Sequence, residues 1–414
     1  MIKFGTFLTE DKGGKNLHLE HIEDEILNYG ITGGRASINF VRSLRDMLAG
    51  NSRSSIDMTV KWDGAPAIFA GIDPADGKFF VAKKSVFNID PKLYKSIAEI
   101  DADNLSAALN SKFKVAFEEF SKLGIKDVLQ GDLMFTDDVS TETIDGKSFY
   151  TFQPNTIVYA VDVNSDFGKK IKNAKIGVVW HTTYRGKSLP DMKASFGANI
   201  SGLQSPSTVW MDDATYKDVS GKATMTDSET AAVTSSLSAA GSTFRKINSS
   251  LLSNFLNLQN TFTGNLSGAS LKTYNNSKVR KGETITNPKS HAQGYLKWVD
   301  DAFQKQIDKL KTPKNKEALE VKKKETIREL KKHTTNLTNI ITFQNHIVDA
   351  KMGVVKKLNT VKSIGTFIKT SNGFKVVNPE GYVAIDRVTG GAVKLVDRME
   401  FSFNNFTAIK AWDK

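Results

Sequence analysis

The sequence predicts an α+β fold in which a large helical insertion interrupts a body of antiparallel β-strands. Apolar residues alternate at a period of two in residues 56–82 and 128–182 and again from residue 364, as in half-buried strands. Between these regions apolar residues recur at helical spacing, and most of the net charge lies in that same part. The two β-rich segments can share one body only if the ends of the insertion lie close together.

The length and composition of the chain indicate how many domains it can form and exclude several kinds of site. With 414 residues the chain is long enough for two or three domains. It has no run of 18 apolar residues and no signal-peptide pattern, so we expect no membrane partner. The absence of cysteine excludes disulfides and thiolate metal sites and is compatible with a cytoplasmic location, which we expect.

The N-terminal part, residues 1–52, is predicted to be helical. Apolar residues have helical spacing in 16–29, with Gly30 as a stop, and again in 35–48, closed by Gly50. The histidines of the chain show no ligand spacing, so we interpret them as structural residues.

The β-rich body is assigned to residues 53–200 together with 362–414. Strands are predicted at 56–60, 67–72, 79–82, 128–135, 156–163 and 176–182, with helices across 92–124. After the insertion, short strands follow at 365–369, 374–377, 381–386 and 393–396.

Residues 201–361 are predicted to form the helical insertion, which is strongly basic. Residues 271–360 contain 20 Lys and Arg against 9 Asp and Glu, out of a net charge of +12 for the whole chain. Such a segment is either the solvated face of a helical bundle or a surface for an anionic partner, and we favour binding of nucleic acid.

Charged residues stand at the ends of several predicted strands. Lys61 and Asp63 end the first strand, and acids follow at Asp132, Asp162 and Glu380, with Lys394 on the last hairpin. A lysine nucleophile, carboxylates that hold magnesium and a basic binding segment together suit phosphoryl transfer. A surface hairpin with a solvated lysine is the alternative for the first strand alone.

These motifs resemble those of the covalent nucleotidyltransferases, the ATP-dependent DNA and RNA ligases and RNA-capping enzymes, in a divergent phage-type form. Lys61-Trp62-Asp63-Gly64 resembles the Lys-x-Asp-Gly motif of that family, and Glu380-Gly381-Tyr382-Val383 resembles its Glu-Gly-hydrophobic-Val motif. Segments similar to three further motifs are 130–133, 158–162 and 392–395. The resemblance implies an adenylation-domain core built from antiparallel sheets.

The resemblance also implies a role for each matching residue. The catalytic residues would be Lys61, Asp63, Glu380 and Lys394. Binding of ATP would use Val60, Lys61, Lys83, Lys84, Asp132, Tyr159, Lys394 and Arg398, with Tyr159 against the adenine. Mg²⁺ (or Mn²⁺) would be held by Asp63, Asp132 and Glu380.

The chain departs from the family at three places. Pro66 stands where the family often has an arginine, and Val396 stands where it has a second lysine, which Arg398 would replace. Only 20 residues follow Lys394, so we expect the insertion or the N-terminal helices to clamp the substrate instead of a C-terminal OB domain.

Three functions stay open at this point. The first is an ATP-dependent polynucleotide ligase, with nicked duplex DNA favoured and RNA possible. The second is transfer of the nucleotide to another acceptor, as in capping or protein modification. The third is a non-catalytic nucleic-acid-binding protein on a degenerate ligase scaffold.

Overall fold

The fold mixes helices with antiparallel sheets, as expected for an α+β protein. The computed structural model describes residues 20–50, 56–88, 90–144, 146–215, 224–360, 365–370, 373–376, 381–386 and 392–400. Glu380 and residues 16–19 of the predicted first helix lie outside the described residues. No helix of the described part is long and apolar enough to cross a membrane.

The described residues form fifteen strands. In chain order they are β1 (Ile56–Lys61), β2 (Ala67–Ile72), β3 (Phe79–Ala82), β4 (Leu93–Tyr94), β5 (Val128–Phe135), β6 (Ser140–Ile144), β7 (Lys147–Phe152), β8 (Val158–Asp162), β9 (Ile176–Arg185), β10 (Lys193–Phe196), β11 (Val209–Asp213), β12 (Gly365–Thr370), β13 (Gly373–Val376), β14 (Gly381–Asp386) and β15 (Ala392–Leu395).

Ten α-helices accompany these strands in the same part of the chain. They are α1 (Glu25–Leu48), α2 (Ile97–Ala102), α3 (Ala107–Phe120), α4 (Asp166–Ile171), α5 (Asp227–Phe244), α6 (Ser249–Asn260), α7 (Ser270–Val279), α8 (Pro288–Lys309), α9 (Pro313–Lys332) and α10 (Thr334–Leu358). The two predicted N-terminal helices are joined in α1, which has non-helical backbone at Tyr29 and Gly30, the predicted stop.

Two sheets build the larger β-rich body. The first has the strand order β10-β9-β5-β2-β3-β4, with β11 also paired to β9, and one of its faces packs on α3. The second has the order β13-β12-β8-β7-β6. An aromatic cluster that includes Trp62, Phe152, Tyr159 and Trp210 joins the two sheets.

A third sheet, β1-β14-β15, shares its core with the helices. Its residues Met58, Tyr382, Ala384, Val393 and Leu395 belong to the same buried cluster as α1 and the insertion helices. The N-terminal helix and the insertion therefore form one helical unit, and this unit covers one face of the third sheet.

The largest sheet includes residues beyond position 201, where the sequence predicts that the insertion begins. Val209–Asp213 runs parallel to Ile176–Trp180 as β11, so the β-rich body continues beyond residue 200. The helices of the insertion begin at Asp227, where Thr226 and Glu229 form a capping box. Between the two, Thr215 bridges to Thr59 of β1. The polar texture of this stretch gave no strand signal.

A buried cluster of charges joins Glu23 and Asp24 to Lys351 and Arg398. Lys351 of α10 donates to both carboxylate oxygens of Glu23, at 2.9 Å each. Arg398, which follows β15, pairs with Asp24 at 2.9 Å. Burial works to raise the pKa of Glu23, but the charges of Lys351, His21 and Arg398 outweigh it and lower that pKa to about 2.

Candidate functional site

The turn that carries Lys61 is fastened to strand β5. Ala65 N–H donates to the carbonyl of Leu133 at 3.0 Å, and Leu133 N–H donates to that of Pro66 at 3.1 Å. At Gly64 an added Cβ would lie only 2.3 Å from the Cβ of Asp132. Glycine is therefore needed at this point, and the close approach sets the Lys61 turn directly against Asp132.

Strand β14 lies next to the nucleophile candidate. In the antiparallel β1–β14 ladder Lys61 is opposite Gly381, and Val60 is opposite Tyr382. Gly381 has φ of 144°, a conformation that favours glycine. The first predicted motif and the end of the Glu380-Gly381-Tyr382-Val383 motif are thus neighbours in the sheet.

Lys61 and Lys394 lie on the same face of the third sheet. Val383 pairs with both Thr59 and Lys394, and Lys61 is two residues beyond Thr59 on β1. Directly paired residues, and residues two apart, share a face of a sheet. Two strand spacings and a two-residue offset separate the Cα atoms of the two lysines by roughly 12 Å. Two long side chains can reach a common anion across this distance.

Asp132 and His181, both on the largest sheet, also lie near the turn that carries Lys61. The Oδ1 atom of Asp132 lies 3.9 Å from Nε2 of His181, whose side chain is 27% exposed. The other ring nitrogen, Nδ1, lies 2.8 Å from the hydroxyl of Thr182. Burial, and then the charge of Lys61, lower the pKa of His181 to about 4, so the imidazole is neutral at pH 7.

Little in the sequence predicts a role for His181. It stands inside an apolar strand, and its proximity to Lys61 depends on the pairing of β9 with β5 and on the position of the Lys61 turn. The one signal available was a lone polar ring at the middle of an otherwise apolar run.

Asp63 serves the fold through hydrogen bonds to both of its oxygens. It is buried, and it accepts from the side chain of Asn155 at 2.6 Å and from the backbone N–H groups of Thr156 and Ile157 at 2.8 and 2.9 Å. These bonds fix the segment before β8. The role of Asp63 as a metal ligand stays a prediction, and it would use the acceptor capacity that these three bonds leave on the carboxylate.

Tyr159 does not present an open ring. It is 2% exposed, its hydroxyl accepts from the N–H of Asp63 at 2.7 Å, and its ring packs between Trp62 and Phe152. The predicted stacking of Tyr159 on adenine stays a prediction, and it would require this buried ring to become accessible to the base. Nearby, Asp162 ends β8 and accepts from the backbone of Asn164 at 2.8 Å.

The remaining predicted cations are distributed over three parts of the structure. Arg398 is held by Asp24 in the buried charge cluster, and its replacement of a missing motif lysine stays a prediction. Lys83 pairs with Asp103 at 3.4 Å, while Lys84 is exposed on the turn after β3. The Lys394 backbone N–H donates to the carbonyl of Glu20 at 3.0 Å.

The donor set near Lys61 fits a magnesium ion that is bound mainly through a nucleotide. Among the described residues, no group of three His, Asp or Glu side chains is arranged to hold a metal. Asp132, which lies against the Lys61 turn, is one described carboxylate that could contribute an oxygen. One or two carboxylates plus substrate phosphates are the usual ligands of Mg²⁺ in phosphoryl-transfer sites.

The chain belongs to DUF6267, a family of unknown function whose model matches residues 16–410. No curated protein and no solved structure matches the chain. The family match covers both β-rich segments and the helical insertion between them.

Proposed function

We propose that the chain is an ATP-dependent polynucleotide ligase that forms a lysyl-AMP intermediate on Lys61 and joins a 5′-phosphate to a 3′-hydroxyl. One observation carries this proposal. The β1–β14 ladder aligns Lys61 with Gly381 across 320 positions of sequence, so the two motifs that most resemble the ligase family are adjacent. A surface hairpin with a solvated lysine would not require this long-range pairing.

Transfer of AMP from ATP to Lys61 has four requirements. Its amine must lose a proton, because a protonated amine cannot attack phosphorus. Its nitrogen then bonds to the α-phosphorus of ATP as the bond to pyrophosphate breaks. Lys394, on the same face of the sheet, supplies positive charge for the phosphate oxygens. Mg²⁺ (or Mn²⁺), held in part by Asp132, would neutralise the phosphates and the leaving pyrophosphate.

Catalysis of this kind depends on positioning more than on covalent assistance by other residues. The β5 contacts that hold the Lys61 turn provide that positioning. The step from lysyl-AMP to the product then needs only that a 5′-phosphate attack the α-phosphorus and release Lys61. A 3′-hydroxyl next attacks the activated 5′-phosphate and displaces AMP.

The nucleic-acid partner is proposed to lie on the α8–α9 hairpin. The exposed cations of this hairpin are Lys289, Lys297, Lys305, Lys309, Lys311, Lys314, Lys324, Arg328, Lys331 and Lys332. Helix α9 is about 30 Å long, which corresponds to about nine base pairs of duplex. Contacts between such a surface and backbone phosphates give salt-dependent affinity without sequence preference. We favour nicked duplex DNA, and ATP supply favours a cytoplasmic site of action.

A second function has specific support. The hydrogen bonds that occupy Asp63 and the burial of Tyr159 are what a non-catalytic nucleic-acid-binding protein on a ligase-like scaffold would show. The two proposals differ in one observable, which is covalent transfer of the nucleotide to Lys61.

The deciding experiment is labelling of the protein with α-labelled ATP, with GTP as a second arm, in the presence of Mg²⁺. We expect label that survives denaturing electrophoresis and is absent from Lys61→Ala. Lys147→Ala, an exposed lysine on β7, is the matched control and should label like the wild type. Absence of label with every nucleotide would overturn the enzymatic proposal.

Substrate choice is tested next, with nicked DNA and nicked RNA duplexes. Charge reversal at Lys324, Arg328 and Lys331 should weaken duplex binding and reduce its dependence on salt, while labelling of Lys61 stays unchanged. If the triple variant binds duplex as the wild type does, the nucleic-acid surface does not lie on the α8–α9 hairpin.

A further inference from the structure

His181 occupies an irregular position in the largest sheet. Gln130 pairs with Thr182 and Gly131 pairs with Trp180, so one step along β5 corresponds to two steps along β9. His181 is therefore the extra residue of a β-bulge. Bulges redirect a side chain and are frequent beside active sites. This one turns the imidazole toward Asp132.

The hydrogen bond to Thr182 is compatible with either tautomer of the His181 ring, and the two tautomers differ in what Nε2 can offer. When the Thr182 hydroxyl donates to Nδ1, at 2.8 Å, the ring hydrogen must lie on Nε2. The nearest carboxylate oxygen, on Asp132, is 3.9 Å from Nε2, which is too long for a hydrogen bond. Within the described part of the chain, Asp132 therefore does not accept the Nε2–H of this tautomer, and this N–H can donate to a ligand.

A donor is needed at this point of the nucleotide site. Lys61 can react only when the α-phosphorus lies about 3–3.5 Å from its nitrogen, so the α-phosphate oxygens must come close to the groups around Lys61. Pro66, where an arginine is common in the family that the motifs resemble, has no side-chain donor and no backbone N–H. His181 approaches the same place from β9.

We propose that His181 is a nucleotide-contacting residue that donates its Nε2–H to the α-phosphate of ATP bound beside Lys61. This inference rests on the proposed function for the identity of the ligand. The neutral state of the imidazole, which follows from its lowered pKa, is compatible with this role because only a donor is required.

The test separates binding from chemistry by using α,β-methylene-ATP with Mg²⁺, which cannot transfer its nucleotide to Lys61. Isothermal titration calorimetry should show about tenfold weaker binding by His181→Ala, as expected for loss of one hydrogen bond to a charged group. His181→Gln keeps an N–H donor at a similar distance and should stay within about threefold of the wild type. Thr182→Val, which frees the ring, should also weaken binding.

His346→Ala is the matched control, because His346 lies on α10 with 30% of its side chain exposed. It should bind the analogue like the wild type. Melting temperatures are compared first, so that each variant is measured folded. If His181→Ala does not fold, Thr182→Val and His181→Gln carry the test.

Each outcome has a distinct meaning. Unchanged affinity in folded His181→Ala, or equal losses in His181→Ala and His181→Gln, overturns the inference. Loss of analogue binding without any covalent labelling of the wild type preserves the inference and refutes the ligase proposal. A wild type that binds no analogue overturns the inference, and covalent labelling with ATP then decides the ligase proposal separately.

Discussion

The buried pair of Lys351 and Glu23 allows a quantitative test of the fold. Lys351 is fully buried, Glu23 is 2% exposed, and the lysine donates to both carboxylate oxygens at 2.9 Å. Replacing one partner of a buried pair leaves an uncompensated charge, which costs about 3–5 kcal/mol. Arg398 stays 3.6 Å from Glu23 and compensates part of this charge, so we expect Lys351→Met to lower the free energy of unfolding by about 3 kcal/mol, the lower end of that range. This is a large part of the about 5–15 kcal/mol typical of a domain.

The matched control is Lys357→Met on the same helix. Lys357 pairs with Glu229 at 2.9 Å, but Glu229 is 44% exposed, and such surface pairs contribute about 0–1 kcal/mol. Urea unfolding followed by circular dichroism at pH 7 measures both variants. The double variant Glu23→Leu with Lys351→Met removes both charges and should recover most of the loss.

The pH dependence of the same pair has a definite sign. Because the folded-state pKa of Glu23 is lowered to about 2, its contribution is complete above its ordinary pKa of about 4.5. It is lost as the pH falls through the folded-state value, so the gap between the wild type and Lys351→Met should shrink from about pH 5 to pH 2. The reasoning is refuted if Lys351→Met costs no more than Lys357→Met at pH 7.

Three further predictions concern the site and the helices. Gly64→Ala should lower the melting temperature by several degrees, since its Cβ would lie 2.3 Å from that of Asp132; calorimetry checks this, and an unchanged melting temperature contradicts it. Tyr159→Phe leaves the buried N–H of Asp63 without its acceptor and should cost about 1–3 kcal/mol in urea unfolding, whereas a neutral effect would mean that the bond is replaced. Burial, and then the charge of Lys278, lower the pKa of His291 to about 4, so its contribution is complete above about pH 6.5 and lost toward pH 4. His291→Gln should flatten the stability curve in that window by up to about 3 kcal/mol, and parallel curves for the two proteins would exclude this role.

Most strands and helices could be predicted from the sequence because their apolar period is strong. The alternation of apolar residues predicted the bounds of β1, β2, β3, β5 and β9 to within a few residues. The hairpin of β6 and β7 escaped prediction, since Ser140–Ile144 is largely exposed and polar and so has no apolar face. The predicted helix across 92–124 became α2 and α3, each started by a serine N-cap.

The site could be predicted only in part. A sequence motif identifies the types of residue, but it does not show which other residues each of them contacts. The pairing of Lys61 with Gly381 followed from motif order. The engagement of Asp63 with Asn155 and the covering of Tyr159 by Trp62 could not be read from the motif, since both depend on contacts more than 90 positions away.

The position of β1 shows that the helical insertion helps to hold the Lys61 site together. Strand β1 carries Lys61 at its end, yet Met58 of that strand, with Tyr382 and Leu395 of its neighbours, is buried in the core of the helical unit. Asp132 belongs to the other body, on the large sheet. The Lys61 site therefore forms where two cores meet. The alignment of the nucleophile candidate with Asp132 and His181 depends on the helices that hold β14 and β15 in place, because without that packing the three-stranded sheet would expose its apolar face to water.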